Sequence, residues 1–341
     1  MKRNLTLLFI PAIIMSCSGS NENHSDLHVS DSAIDTVFTD TFQIDPNFDF
    51  EHCPKAWGLE EAMAAPDSFC LLTLQGKERL EVIPEEVEKM HYLRSLDLYG
   101  NNIHEIPAFL SDLEELYLGA NGLTECPKGM EQLKNLRRLE LSYNQITELC
   151  PAIFEMKDLE ILDMFNTSLS KFPVELANLS NLKRIALTGN SIQNIPKEIT
   201  KLKKLEELYL SDQSPEGLAN LPANFSELRN LKHLSIGGND CCGNQFDSIP
   251  SSIYELDSLE YLDLSYGNIQ FVSPEIVNLT RLKSLDLTGN KLSELPEEIY
   301  SLPHLEEIYL AENHFTVEQQ TTIIERFGND IIIEFEREYG D

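Results

Sequence analysis

A leucine returns at a near-constant interval along most of this chain: Leu93, Leu113, Leu136, Leu159, Leu182, Leu205, Leu231, Leu259, Leu282 and Leu305. A degenerate copy opens at Phe69, giving eleven units, and most steps between them are 23 residues. Self-similarity at a fixed short period restricts a chain to architectures in which one small unit stacks on the next. The unit is legible in a clear copy: Leu182, Ile185, Leu187, Asn190, Ile192, Ile195, Pro196, Ile199, Leu202. Its LxLx stretch alternates apolar and polar residues, the period of a half-buried strand. Proline then restarts the chain. Pro84, Pro107, Pro127, Pro196 and Pro296 suit a first helical position, where no amide hydrogen is missed. Glu85, Glu86, Glu198, Glu297 and Glu298 follow them, favourably placed near a helix N-terminus.

The repeated LxxLxLxxN with an apolar-Pro step resembles the leucine-rich-repeat family, in its 23-residue Leu-Pro class, over residues 59 to 341. The resemblance implies an α/β solenoid, a right-handed curved horseshoe with parallel strands on its concave face and short helical or 3₁₀ segments on its convex face. One unit cannot bury its own leucines, so neighbours must stack. Eleven strands at about 4.8 Å would span about 50 Å on the inner side. The family also implies that the column Asn101, Asn121, Asn144, Asn190, Asn239, Asn290 and Asn313 points inward and bonds to the backbone of the adjoining turn. Lys77, Thr167, Gln213 and Gly267 depart from it, and Asn268 stands next to the last.

A solenoid must also cover its open ends. Leu59 to Ala62, before Pro66, reads as a short helix capping the first strand, while Val317 to Phe327 has helical spacing and Ile331 to Phe335 favours strand. The expected organisation is therefore a signal peptide (1–16), an acidic flexible tether (17–50), an N-terminal cap (51–68), the repeats (69–316) and a C-terminal cap (317–341).

The first seventeen residues run Lys2 and Arg3, an apolar stretch from Leu5 to Met15, then Ser16 and Cys17. This is the order of a secretory signal, and about eleven apolar residues are too few to span a hydrocarbon core of about 30 Å. The ending Ile14-Met15-Ser16-Cys17 resembles the lipobox of bacterial lipoproteins. That implies cleavage before Cys17, acyl chains such as palmitate on it, and a lipid-anchored place in the bacterial cell envelope, at the outer membrane or cell surface. From Ser18 to Phe50 the chain carries Glu22, Asp26, Asp31, Asp35, Asp40, Asp45 and Asp49 with no Lys or Arg. Such a segment buries too little apolar surface to offset its ordering entropy and reads as a stalk.

The whole chain sets 57 acidic against 26 basic residues, a formal charge of -31. A polyanion would meet a repulsive field, so nucleic acid is not an expected partner. Catalysis is not expected either: the sequence has no phosphate-cradling Gly-rich loop with Lys, no HExxH and no nucleophile elbow. No cofactor is implied. Of the seven cysteines, Cys53 and Cys70 flank the N-terminal cap and are candidates for a disulfide. Cys126 and Cys150 read as two buried small hydrophobes. Cys241 and Cys242 form a strained vicinal pair, stay reduced, or meet a partner. They offer too few ligands for a metal, and none is expected.

The architecture offers one broad surface, the concave sheet face. Its middle column reads Asp97, Tyr117, Glu140, Asp163, Ala186, Tyr209, Ser235, Asp263, Asp286, Tyr309; His233 and Tyr261 stand on one flank, Tyr99 and Phe165 on the other. Exposed aromatics among carboxylates suit a basic protein or peptide. The expected function is non-catalytic recognition, adhesion or scaffolding by a monomer at the envelope. The alternative is an accessory subunit that binds or presents glycan. Insertions at Ser214 to Leu218 and Asp240 to Phe246 are a second candidate surface.

Overall fold

The computed structural model describes residues 54–76, 79–238, 246–328 and 331–335. The chain divides into two units, Met1–Cys53 and Pro54–Asp341. Cys17, the acidic segment 17–50, Cys53, Lys77, Asn239, Cys241 and Cys242 lie outside the described residues.

The second unit is a single parallel sheet whose strand order is its chain order. The strands are β1 (Lys55–Ala56), β2 (Leu71–Thr73), β3 (Ser95–Asp97), β4 (Glu115–Tyr117), β5 (Arg138–Glu140), β6 (Ile161–Asp163), β7 (Arg184–Ala186), β8 (Glu207–Tyr209), β9 (His233–Ser235), β10 (Tyr261–Asp263), β11 (Ser284–Asp286), β12 (Glu307–Tyr309) and β13 (Ile332–Glu334). Helix α1 (Leu59–Ala64) lies between β1 and β2, and α2 (Val317–Phe327) between β12 and β13. This is a curved leucine-rich-repeat solenoid. The eleven repeats supply β2 to β12. The sheet has thirteen strands because β1 and β13, outside the repeats, pair with β2 and β12 and so cover the amides and carbonyls of the terminal units.

Each strand of the repeats, β2 to β12, is three residues long because the leucine pattern gives it one inward position, flanked by two outward ones. Leu96, Leu116, Leu139, Leu162, Ile185, Leu208, Leu285 and Ile308, at the centres of their strands, are fully buried. They stack with the second leucine of each repeat and with the apolar residues of the outer turns into one continuous core. Full burial of such a side chain stabilises by roughly 1.5–3 kcal/mol, and only a stacked neighbour can provide it.

The outer segments are 3₁₀ turns of three to five residues. The prolines stand one residue earlier than the sequence suggests. Pro84, Pro107, Pro196 and Pro296 are N-caps with extended ψ, and their carbonyls accept the first turn bond, from Val87, Leu110, Ile199 and Ile299. Pro127 stands further ahead of its turn, Met130–Gln132, which Gly129 caps. Proline serves there by fixing φ while the chain is still extended, and its missing amide falls outside the turn.

The asparagine column works as a molecular staple. Asn190 Nδ2 donates to Met164 O at 2.9 Å and Leu187 O at 2.8 Å, while its Oδ1 accepts from Leu169 N at 3.0 Å. Asn101, Asn121, Asn144, Asn290 and Asn313 repeat this scheme between neighbouring turns. Gln213 reproduces it with a longer side chain, taking Ile192 N at 2.8 Å and giving to Leu187 O at 2.9 Å. Thr167 instead donates its hydroxyl to Asn190 Oδ1 at 2.6 Å, and Asn268, beside Gly267, accepts from Lys291 Nζ.

Cys126 and Cys150 are not two separate hydrophobes. They form a disulfide between successive repeats, with Cα atoms 5.9 Å apart. The repeat step brings equivalent positions of neighbouring units within bridging distance. Cys70 is also disulfide-bonded.

Candidate partner-binding face

The in-register pairing of the strands builds the concave face as columns. Asp97, Tyr117, Glu140, Asp163, Ala186, Tyr209, Ser235, Asp263, Asp286, Tyr309 and Glu334 are successive partners in one row across the sheet. His233 and Tyr261 are partners in the row beside it. Tyr99 and Phe165 follow two residues after their middle-row acids. The predicted residues therefore share one face, but they do not converge on one point. Tyr117, Tyr209 and Tyr309 sit on β4, β8 and β12, about 19 Å apart at about 4.8 Å per strand.

Local contacts divide the face into small networks. Arg184 lies between Asp163 and Glu207, bonded to each at 2.8 Å, and its guanidinium stands 4.8 Å from the centre of the Tyr209 ring. Each of the three tyrosines donates its hydroxyl to the glutamate two residues before it: Tyr117 to Glu115 at 3.0 Å, Tyr209 to Glu207 at 3.2 Å, Tyr309 to Glu307 at 3.0 Å. His233 stacks on Tyr261 with ring centres 4.3 Å apart. Asp263 accepts from Ser235 Oγ and Ser265 Oγ, both at 2.6 Å, and from Ser265 N at 2.9 Å.

The aromatics are less open than the sequence suggests. Tyr117 is 7% exposed and Tyr209 8%, so neither is a protruding platform. Close strand spacing lays each ring along its neighbours, and Tyr261 is the one of the named tyrosines on these strands whose ring stays substantially exposed. Burial, then the adjacent glutamates, pushes the Tyr117, Tyr209 and Tyr309 phenols above their ordinary range, which keeps them as hydroxyl donors. Burial pushes Glu140 up to about 8, with the Asp163 charge adding to the shift, and raises Asp286 to about 7, with Asp263 adding. Burial also lowers His233 despite the nearby Glu207 and Glu260.

From β3 to β13 the strands carry Asp97, Glu115, Glu140, Asp163, Glu207, Asp263, Asp286, Glu307 and Glu334 against Arg138 and Arg184. The face thus has a clear excess of carboxylate. The rim next to it does not. The residue after the first leucine of each repeat alternates in sign without a break: Arg94, Glu114, Arg137, Glu160, Lys183, Glu206, Lys232, Glu260, Lys283, Glu306. Neighbours pair across repeats, Arg137 to Glu160 at 2.5 Å, Lys183 to Glu160 at 2.6 Å, Lys232 to Glu206 at 2.6 Å and Lys283 to Glu260 at 2.5 Å. Leucine spacing alone does not expose this ladder. Its sequence signal is the sign alternation at one fixed repeat position.

Among the described residues no group of His, Cys, Asp and Glu is arranged to hold a metal ion, and no helix is long and apolar enough to cross a membrane. Ser214 to Leu218 lies among the described residues, whereas most of the second insertion lies outside them.

Three family models match the chain: a leucine-rich repeat region over residues 128–239, and leucine-rich repeats over 257–315 and 92–113. A human protein, leucine-rich repeats and immunoglobulin-like domains protein 3, is 36% identical over 91 residues, which are 25% of this chain and 8% of that protein. Among solved structures, the plant peptide hormone receptor RGFR1 in complex with RGF2 is similar at 26% identity and a TM-score of 0.53, over 72% of this chain and 39% of the receptor. An internalin, inlF of Listeria monocytogenes, is similar in fold at 22% identity and a TM-score of 0.54, over 81% of this chain and 89% of its own.

Proposed function

Because this chain belongs to the leucine-rich-repeat family and folds as its solenoid, we propose that it is a non-catalytic protein-recognition module whose concave face binds a basic protein or peptide. The observation that carries the reading is the in-register rows of carboxylates and tyrosines, which together set nine acids against two arginines on the strands β3 to β13. Such a field attracts cationic partners and speeds their encounter, while the exposed Tyr261, stacked on His233, adds flat contact area. The similar plant receptor, solved with RGF2, supports a peptide-sized ligand for this kind of fold. Glycan binding is the weaker reading, since the tyrosines of β4, β8 and β12 stand too far apart to form one stacking platform.

The proposed setting is the bacterial envelope, with Cys17 carrying the lipid and the acidic segment 17–50 spacing the solenoid from the membrane. The test is capture from envelope extract by the chain starting at Glu51, beside a variant with Asp163, Tyr209, Asp263 and Asp286 changed to Ala. The captured protein is then purified and rebound to both. A loss of at least tenfold in affinity, with the variant still folded, supports the concave face. Equal affinity moves the site to the insertions.

A further inference from the structure

Three strands of the concave face carry the same triplet, a glutamate and a tyrosine around one buried apolar residue: Glu115-Leu116-Tyr117 on β4, Glu207-Leu208-Tyr209 on β8 and Glu307-Ile308-Tyr309 on β12. Alternation puts the two polar residues on one side, and in all three the tyrosine hydroxyl donates to its glutamate. In two of them an arginine from an adjacent strand completes the group. Arg184 on β7 gives Nη1 to Glu207 Oε2 at 2.8 Å, the oxygen that also takes the Tyr209 hydroxyl. Its Nε goes to Asp163 at 2.8 Å, and its guanidinium lies 4.8 Å from the centre of the Tyr209 ring. Arg138 on β5 stands against Tyr117 and Glu115, both of which favour its charge.

The third triplet has no such arginine. Its neighbouring strands read Ser284-Leu285-Asp286 and Ile332-Ile333-Glu334, without a basic residue. The register makes the second and third triplets comparable place by place. Arg184 pairs with Glu207 and Ala186 with Tyr209; in the same places Ser284 pairs with Glu307 and Asp286 with Tyr309. A serine thus stands where the arginine would, and an acid replaces the alanine. The charges that act most on the Tyr309 phenol are Glu307, Glu334 and Asp286, all acidic, whereas at Tyr209 the Arg184 charge opposes that of Glu207. Carboxylates gathered around a tyrosine with no cation against them repel one another, and a bound cation relieves this.

The place is open to solvent. Ser284, Asp286 and Tyr309 are half-buried, as Arg184 is, and a serine side chain ends well short of where an arginine head would lie. Glu307 is 9% exposed, close to Glu115 at 7%, whose charge still acts on Arg138. Tyr261, 37% exposed, precedes Ser284 in the flank row; His233 stacks on one side of its ring, which leaves the other side towards Ser284. Beside Arg184 that position belongs to Ile161. Strands β10 and β12 are two spacings apart, about 9.6 Å, which admits a flat group in contact on both sides at about 7–8 Å. A guanidinium suits such a slot, because its faces stack on rings while its edge donates to carboxylates. Asp263 is taken up by Ser235 and Ser265, so the acceptors are Glu307 and Asp286.

We propose that the Glu307–Tyr309 triplet, over Ser284, receives an arginine side chain of the partner, whose guanidinium lies between the Tyr261 ring and the Glu307 and Asp286 carboxylates as Arg184 lies beside Glu207 and Tyr209. This rests on the concave-face reading; it names the side chain recognised and fixes one point of register near the C-terminal end of the sheet.

The test is an amide NMR titration of the full chain with N-acetyl-arginine methylamide, its lysine analogue and its citrulline analogue, which has the shape of arginine without the charge. The arginine probe should shift the Ser284 and Asp286 amides saturably in the millimolar range. Citrulline should not, and lysine should bind at least threefold more weakly. Glu307→Gln, nearly isosteric, should weaken the arginine response at least tenfold, and Ser284→Arg, which supplies the arginine from the chain itself, should abolish it. Each variant is read alone, so either suffices if the other does not fold. The proposal is overturned by an equal response to citrulline or lysine, by a response that survives Ser284→Arg or Glu307→Gln, or by no response. The concave-face reading then still stands if the captured protein loses affinity for the Asp163, Tyr209, Asp263 and Asp286 variant but keeps it for Ser284→Arg.

Discussion

Replacing Asn190 by Ala removes a side chain that is 3% exposed and bonded on both sides. Five groups lose a partner, but they do not lose equally, and Thr188 O, at 3.4 Å, loses the weakest bond. Leu169 N–H, bonded to Oδ1 at 3.0 Å, is left as a buried donor, at a cost of about 1–3 kcal/mol. Met164 O loses the donor at 2.9 Å and adds about 1 kcal/mol. Leu187 O keeps Gln213 Nε2 at 2.9 Å, and the Thr167 hydroxyl can rotate to another acceptor, so both count for little. The expected destabilisation is therefore about 2–4 kcal/mol. Asn313→Ala provides the contrast: its column position is half-buried near the last repeat, water can replace the lost bonds, and less than about 1 kcal/mol is expected. Urea unfolding followed by circular dichroism reads the global effect, and hydrogen exchange at the Leu169 amide reads it locally, which matters in an array whose repeats can open separately. An unchanged midpoint together with unchanged Leu169 exchange would refute the stapling role.

Three further outcomes follow from the same geometry. The Cys126–Cys150 bridge closes a loop with a sequence separation of 24, so reduction, or the double Cys→Ala variant, should cost about 3.5 kcal/mol by loop entropy; peptide mapping without reductant that fails to find this linkage overturns it. Glu160→Lys replaces an attraction to Arg137 and Lys183 with three like charges in a row, and should cost about 1–2 kcal/mol, with roughly half of that recovered in high salt; a penalty insensitive to salt argues for packing instead. Glu140 and Asp286 have folded pKa values raised, to about 8 and about 7, so the folded state holds more protons than the unfolded one between the ordinary carboxylate range and those values. Their contribution is full below about pH 4 and is lost as pH rises towards about 8: the unfolding midpoint should fall over that window, and Glu140→Gln should flatten the fall.

The solenoid was legible in the sequence because its cause is local and repeated. Leu182, Ile185 and Leu187 recur in register, and no unit can bury them alone. The chain in fact forms one parallel sheet built that way. What stayed hidden depends on distance rather than on pattern. A cysteine reads as a buried hydrophobe until the repeat step sets Cys126 and Cys150 within bridging range; their separation of 24, about one repeat, was the available signal. The prolines could be assigned to a helix start but not to one residue, because an N-cap and a first helical position both accept a fixed φ. Alternation places Tyr117 and Tyr209 on the concave face, but only the close approach of the strands buries them there. The same holds for Glu140. Its position in the row follows from the repeat, whereas its deep burial depends on the close approach of the neighbouring strands.

The two charge arrangements along the solenoid bear on recognition in opposite ways. On the rim every acid from Glu114 to Glu260 stands between basic neighbours in the column, and Glu160 shows the effect: burial works against its charge, but the hydrogen bonds and charges of Lys183 and Arg137 more than offset it and hold its pKa below the ordinary value. A rim neutralised in this way exerts little field beyond a Debye length of about 8 Å, so it ties repeats together and offers no handle to a charged ligand. On the concave face, burial raises Glu140 and Asp286 instead, and the charges of Asp163 and Asp263 add to the shift. A bound cation reverses that balance and favours the ionised form. Binding of a basic partner should therefore release fewer stored protons at high pH, where these groups are already ionised, and more near neutrality. Calorimetry in buffers of different ionisation enthalpy at pH 6.5 and pH 9 measures that difference, and equal proton release at both would place the contact away from Glu140 and Asp286.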